Sequence, residues 1–189
     1  MDVIADKSAM RRDFRQKRNE YFISLSPQDK ALSFSAMPSP LKALFAHHKN
    51  VAGYIPIGSE ANPLSLLSIA RAAECNISLP HVISKLAPMR FLEWPDGEEL
   101  HPGPFGLQQP NDTNVAMTPD IVLVPLVAFD RHLNRLGQGA GHYDRALSIL
   151  DQVIAIGVAW SVQETNTVPA DPWDIPLDAI LTEKEWICK

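Results

Sequence analysis

Apolar residues recur along the chain in two rhythms. Between Lys7 and Leu25, Met10, Phe14 and Tyr21 fall at helical spacing among Arg, Lys and Gln, which predicts a helix with a strongly basic face. Ser26-Pro27-Gln28-Asp29 reads as a fresh helix start, because Ser is a good N-cap, Pro suits the first helical position and an acid follows in the first turn. That second helix should weaken near Pro38 and Pro40. Val51–Ile57 predicts a short strand, Asn62-Pro63 caps a helix reaching Glu74, and NISLP makes another strand. Strand, helix and strand in quick succession form a βαβ unit, which calls for a parallel sheet. Met89–Trp94 predicts a shorter strand, whereas Pro95–Pro119 is dense in Pro, Gly, Asn and Asp and reads mostly as loop. Ile121–Val127 is almost continuously apolar, as a central strand covered on both faces must be. Tyr143–Leu150 then reads as a helix, Val153–Trp160 as a buried strand and Ala179–Thr182 as a last one. The fold class is α/β, three-layer α/β/α with a mostly parallel central sheet, in one domain over residues 1–189.

Composition narrows the function classes. The 189 residues are 46% hydrophobic and 21% charged with a net charge of −5, which suits an ordinary globular protein and excludes a general nucleic-acid coat. One basic pocket for an anion remains compatible with that charge. Cys75 and Cys188 form no CxxC pattern, and the histidines have no ligand spacing, so neither a zinc framework nor a histidine metal site is expected. Apolar runs such as Ile121–Phe129 are too short to span a bilayer, and MDVIADKSAMRR begins acidic with no apolar leader core. A cytoplasmic monomer acting on small molecules, with neither nucleic acid nor membrane as partner, is expected.

The candidate chemistry lies in RLGQGAGHYDR, Arg135–Arg145. Three of the chain's 9 glycines, Gly137, Gly139 and Gly141, alternate there, after a buried strand and at a helix start. Alternating glycines let successive N–H groups turn into one concavity, and Arg135 and Arg145 can add charge-assisted bonds to phosphate oxygens. It is neither a Walker loop, since no Lys-Ser or Lys-Thr follows, nor the GxGxxG dinucleotide fingerprint. Glycine spacing alone leaves two readings, a phosphate cradle and a tight connecting turn. Asp144 likewise has two: a Mg²⁺ ligand bridging to phosphates, or an acid favouring a helix N-terminus.

Taken together these residues resemble a known family. Phe129-Asp130 followed by Arg135-Leu136-Gly137-x-Gly139-x-Gly141-x-Tyr143-Asp144-Arg145 resembles the signature of the 5-formyltetrahydrofolate cyclo-ligases, also called methenyltetrahydrofolate synthetases. Lys7-x-x-Met10-Arg11, Tyr54-x-Pro56-x-x-x-Glu60, Leu79-Pro80, Met89-x-Phe91 and Trp173-Asp174…Leu181-Thr182-Glu183 are similar to further family segments, in the same order. The resemblance implies a NagB/RpiA/CoA-transferase-like fold and ATP-dependent, Mg²⁺-dependent closure of 5-formyltetrahydrofolate to 5,10-methenyltetrahydrofolate.

It also implies roles. ATP would contact Lys7, Arg11, Arg135, Gly137, Gln138, Gly139, Ala140, Gly141, His142 and Tyr143. Reduced folate would contact Ile55, Glu60, Met89, Gln138 and His142, with Met89, Phe91 and Trp94 as an apolar wall. Arg135, Tyr143 and Arg145 would be catalytic, and Asp144 and Asp174 would hold Mg²⁺. For Glu60 the residue type suits the task, since a carboxylate accepts paired N–H bonds from an amino-pyrimidinone edge. Two positions depart from the family pattern: His142 stands where a Tyr is common, and Gln109 where Glu often precedes Pro. Two other functions carry less of the pattern. A sugar-phosphate isomerase or transferase does not need Asp144 and Asp174 together. A non-catalytic nucleotide module leaves Glu60 and Tyr54-x-Pro56 without a task.

Overall fold

A computed structural model describes residues 3–189, with side chains from Lys7 onward; Met1 and Asp2, the start of the segment read as having no leader, lie outside the described residues. The strands are β1 (Asn50–Ala52), β2 (Asn76–His81), β3 (Arg90–Glu93), β4 (His101–Pro102), β5 (Gln108–Gln109), β6 (Ile121–Pro125), β7 (Ala128–Phe129), β8 (Arg135–Leu136), β9 (Ile154–Val158), β10 (Ala179–Leu181) and β11 (Trp186–Cys188). The helices are α1 (Val3–Ser24), α2 (Pro27–Leu32), α3 (Ser39–His47), α4 (Leu64–Ala72) and α5 (His142–Leu147).

Seven strands form the main sheet in the order β11-β10-β9-β6-β1-β2-β3. Its inner five are parallel, and the antiparallel β3 and β11 close the edges. β6 is central, and its alternation divides two cores. Ile121 and Leu123 join the cluster beneath α3 and α4, with Leu41, Phe45, Leu66 and Leu67. Val122 and Val124 join the opposite cluster beneath α5, with Ala146 and Leu147. Successive strand side chains point to opposite faces, so a strand apolar at every position must be covered twice. The expected three-layer architecture is therefore present.

Local differences have local causes. The expected strand Val51–Ile57 pairs only as far as Ala52, and the chain beyond it bends into the loop that carries Glu60. Ser26 caps α2 as expected, accepting from Asp29 N at 3.1 Å, but α2 ends at Leu32. The prolines at 38 and 40 then start α3, where their fixed φ suits a first turn. The antiparallel edge strand β11 was not expected from the sequence. Trp94 does not share a wall with Met89 and Phe91. It lies an odd number of residues from both, so it packs on the other core, under the Arg71 guanidinium at 4.8 Å. No helix among the described residues is long and apolar enough to cross a membrane.

Candidate active site

The site forms where the loops trailing β1, β6 and β9 meet one stripe of α1. In an open parallel sheet the carboxyl ends of the strands are where loops converge on a ligand. Lys7, Arg11, Arg15 and Arg18 recur every three or four residues, so a helix of about 3.6 residues per turn aligns them. Lys7 Nζ donates to Asp171 Oδ2 at 2.7 Å and to Asp174 Oδ2 at 2.6 Å. Burial works against the Lys7 ammonium, but the hydrogen bonds and charges of Asp171 and Asp174 outweigh it and raise its pKa. Arg11 Nε donates to Gly137 O at 2.9 Å. Arg15 holds the Gln138 side-chain oxygen from Nε at 3.0 Å and Nη2 at 2.7 Å. Arg18 Nη1 lies 3.7 Å from Glu60 Oε1, with both side chains only 8% exposed.

The three glycines are not equivalent. Gly139 and Gly141 have φ of +103° and +66°, which L side chains rarely adopt. A Cβ on Gly139 would also sit 3.3 Å from Arg11 Cζ, so the loop lies directly under α1. Gly137 has open space about it and no such backbone requirement. The hairpin β7–β8 delivers the loop, and Asp130 braces that hairpin by accepting from His132 N, Asn134 N and Val168 N. α5 has six residues, so the cradle owes more to the loop's own N–H groups than to a helix dipole.

At one end of the loop is a cluster of charge. Arg135, 7% exposed, donates from Nη2 to Asp144 Oδ1 at 2.5 Å and from Nη1 to Ile175 O. Burial lowers the Arg135 pKa, against the opposing charges of Asp144 and Asp174. Ile175 N also donates to Asp144 Oδ1, at 3.3 Å, and Asp171 N donates to Asp174 Oδ2 at 2.9 Å. Those hydrogen bonds use one oxygen of each carboxylate, Oδ1 of Asp144 and Oδ2 of Asp174. The second oxygens make no hydrogen bond among the described residues, and carboxylate oxygens of this kind are the donor type that suits Mg²⁺. Among the described residues no ready-made group of three or more metal-ligating side chains exists.

At the other end lies Glu60. Its Oε2 accepts from Ile57 N at 3.0 Å and its Oε1 from Gln138 Nε2 at 2.9 Å. Gln138 therefore spans from Arg15 to Glu60. Tyr143 is half-buried on α5, and burial first, then the Glu60 charge, pushes its phenol well above the ordinary value, so it stays protonated. Tyr54 is buried and donates to Ala61 O at 2.6 Å, fixing the loop that presents Glu60. Ile55 is half-buried against the α3/α4 core, and Met89 is buried in the α5 core.

Arg145 turns away from the charge cluster. It is exposed and donates to Ala140 O at 2.9 Å and Lys85 O at 3.0 Å, closing the loop from outside. Its Nη2 also faces His142 Nδ1 at 3.2 Å. A guanidinium only donates, so Nδ1 accepts and the hydrogen sits on Nε2, which is buried and unpartnered. Burial, then Arg145 and Lys85, lower the His142 pKa and keep it neutral. The expected residues Lys7, Arg11, Arg135, Asp144 and Asp174 thus gather at one end, and Glu60 and Gln138 at the other. Arg15, Arg18 and Asp171 were missed. The helical stripe announced the two arginines, while Asp171 is one carboxylate in a Pro-rich turn and gave no signal.

Known proteins match this chain in sequence and in fold. The model of the 5-formyltetrahydrofolate cyclo-ligase family matches residues 3–183. A 5-formyltetrahydrofolate cyclo-ligase of Haemophilus influenzae is 33% identical over 141 residues, covering 70% of this chain and 75% of that protein. One from Mycolicibacterium smegmatis is 32% identical over 158 residues, covering 78% and 80%. Among solved structures, the 5,10-methenyltetrahydrofolate synthetase of Aquifex aeolicus superposes with a TM-score of 0.75 at 32% identity, covering 95% of this chain and 92% of that one. The enzyme of the same name from Mycoplasma pneumoniae gives 0.69 at 28%, covering 94% and 99%. With the family model matched over residues 3–183 and solved members superposing on nearly the whole chain, this chain belongs to the 5-formyltetrahydrofolate cyclo-ligase family.

Proposed function

We propose that this chain catalyses the ATP- and Mg²⁺-dependent cyclisation of 5-formyltetrahydrofolate to 5,10-methenyltetrahydrofolate, releasing ADP and phosphate. One observation carries the reading: a single glycine loop touches both ends of the site. Gly137 lies under Arg11 beside the Lys7, Arg135, Asp144 and Asp174 cluster, while Gln138, the next residue, reaches Glu60. The first end suits a triphosphate and the second an amino-pyrimidinone edge, and the reaction must bring the two together.

A formamide oxygen is a poor leaving group. In the proposed sequence it attacks the γ-phosphorus of ATP, and ADP departs. N10 then attacks the formyl carbon, the carbon–oxygen bond breaks, phosphate leaves with the former formyl oxygen, and the N10 proton is lost to solvent. The product is the cyclic amidinium. Phosphoryl transfer depends mainly on positioning and on neutralising charge, so no protein nucleophile is needed. Lys7, Arg11 and Arg135 supply fixed positive charge, and the N–H groups of 137–141 cradle phosphate oxygens. Asp144 and Asp174 would hold Mg²⁺, which would neutralise phosphate charge there. Tyr143 stays a neutral donor, and Ile55 and Met89 line the folate side. Arg145 acts here by clamping the loop that carries Ala140.

Substrate carrying ¹⁸O in the formyl group tests the sequence. Label recovered in inorganic phosphate is expected; label recovered only in water would refute transfer through the formyl oxygen.

A further inference from the structure

Arg18 is a buried cation to which the chemistry above gives no task. It is 7% exposed, as is Glu60, and it faces the Glu60 end of the site rather than the Asp144 and Asp174 cluster. Among the described residues its polar contacts go to the segment presenting Glu60 and to Leu126, just past β6. Its Nε donates to Ser59 Oγ at 3.3 Å, and its Nη1 lies 3.5 Å from Leu126 O and 3.7 Å from Glu60 Oε1. Ser59 is pinned from its other side, since the buried Trp160 donates from Nε1 to Ser59 O at 2.9 Å. Ile57 N holds Glu60 Oε2. The carboxylate is thus fixed at its backbone, at one oxygen and by one facing charge, and Oε1 alone points toward the glycine loop.

A charge taken out of water is retained only where it is paired and hydrogen-bonded. A guanidinium is the suitable counter-charge. It stays ionised when buried, and its fork fixes direction as well as charge. The distance matters too. At 3.7 Å Arg18 faces Oε1 without saturating it, so the oxygen still accepts a short bond from Gln138 and could accept one from a ligand.

We propose that Arg18 is a positioning residue for reduced-folate binding, holding Glu60 as an outward-facing acceptor for the substrate's amino-pyrimidinone edge. The inference rests on the assignment of Glu60 to that edge. It also explains why the α1 stripe continues past the phosphate-facing Lys7 and Arg11: its distal end serves the second substrate.

The test compares Glu60→Gln, Arg18→Met, Arg18→Lys and the double variant Arg18→Met/Glu60→Gln, with KM for each substrate, ATP-free binding of 5-formyltetrahydrofolate and thermal melting. Arg18→Met is expected to weaken folate binding about tenfold or more while KM for ATP stays within about twofold. Arg18→Lys keeps the charge and loses the fork, so it should recover part of the folate affinity; it carries the test if Arg18→Met does not fold. The double variant removes both charges and should melt near the wild type while binding folate no better than Glu60→Gln. Equal loss for both substrates, or a lower melting temperature with folate affinity intact, would make Arg18 a structural residue and overturn the proposal. If Glu60→Gln itself leaves folate affinity unchanged, the underlying assignment fails instead.

Discussion

Gln138 Nε2 donates to Glu60 Oε1 at 2.9 Å, tying the glycine loop to the loop after β1. The bond uses the oxygen that a pterin edge would need. Under the proposed function substrate displaces Gln138, so the glycine loop would respond to occupancy of the Glu60 end. Gln138→Leu should therefore raise ATP-free affinity for 5-formyltetrahydrofolate about fivefold, corresponding to one net hydrogen bond of ~1 kcal/mol. KM for ATP should rise in the same variant, because of its Arg15 bonds the loop keeps only the one to the backbone oxygen of residue 138. Titration calorimetry with each ligand separates the two effects.

Asp144→Asn tests the metal assignment. An amide keeps the Oδ1 acceptor that Arg135 and Ile175 N use, but the buried Arg135 loses a counter-charge, so the melting temperature should fall while the fold is kept. It removes the negative charge on which Mg²⁺ binding depends, so Mg²⁺-dependent turnover should fall by about 100-fold or more. Rates measured across a Mg²⁺ series decide it, and unchanged activity would remove Asp144 from the site.

Glycine substitution should discriminate within the loop. Gly139→Ala forces a side chain into φ +103° and against Arg11, a strain of roughly 1–3 kcal/mol that this loop can relieve only by moving. Gly137→Ala meets open space and an ordinary backbone. Folding free energies from urea melts should show a clear loss for the first and near-neutrality for the second, with turnover falling further in Gly139→Ala.

Lys7→Met leaves Asp171 and Asp174 facing each other without their cation. The side chains are 10%, 28% and 22% exposed, between the surface and buried limits, so a loss of about 2 kcal/mol is expected. ATP-dependent thermal stabilisation should shrink in the same variant, since one cation of the charge cluster is gone.

His81 sets a pH dependence. Burial first, then Arg90, depress its pKa below 6.5, with Asp112 opposing. The unfolded chain therefore takes up a proton before the folded one does as the pH drops. His81's contribution to stability is present above pH 6.5 and is lost as pH falls toward the folded value. The drop in melting temperature between neutral and mildly acidic buffer should be smaller in His81→Gln.

Much of this fold was legible because its signals are local. Ile121–Val127 could only be a strand covered on both faces, and Ser26-Pro27 could only start a helix cleanly. The stops were less visible. Nothing in VAGYIPI says that pairing ends at Ala52, because the partners that would continue the ladder are distant in sequence. β11 pairs three residues with β10 and depends on the turn at Thr182, whose Oγ1 accepts from Lys184 N and Glu185 N. In the site, the glycine motif located the loop and drew attention to Asp144 beside it, whereas Asp174 was singled out only through the family resemblance. The stripe Lys7, Arg11, Arg15 and Arg18 was present as a period, yet a basic helix face most often meets only solvent. What each cation meets is decided by loops more than 40 residues away in sequence, as with Arg18 and Ser59.

The most direct test of the central claim is a near-ultraviolet absorbance time course with purified protein, 5-formyltetrahydrofolate, ATP and Mg²⁺, omitting each in turn. The account predicts that the methenyl chromophore appears only in the complete mixture, with one ADP formed per product. A chromophore that forms without ATP, or ADP formed without chromophore in the complete mixture, would contradict it.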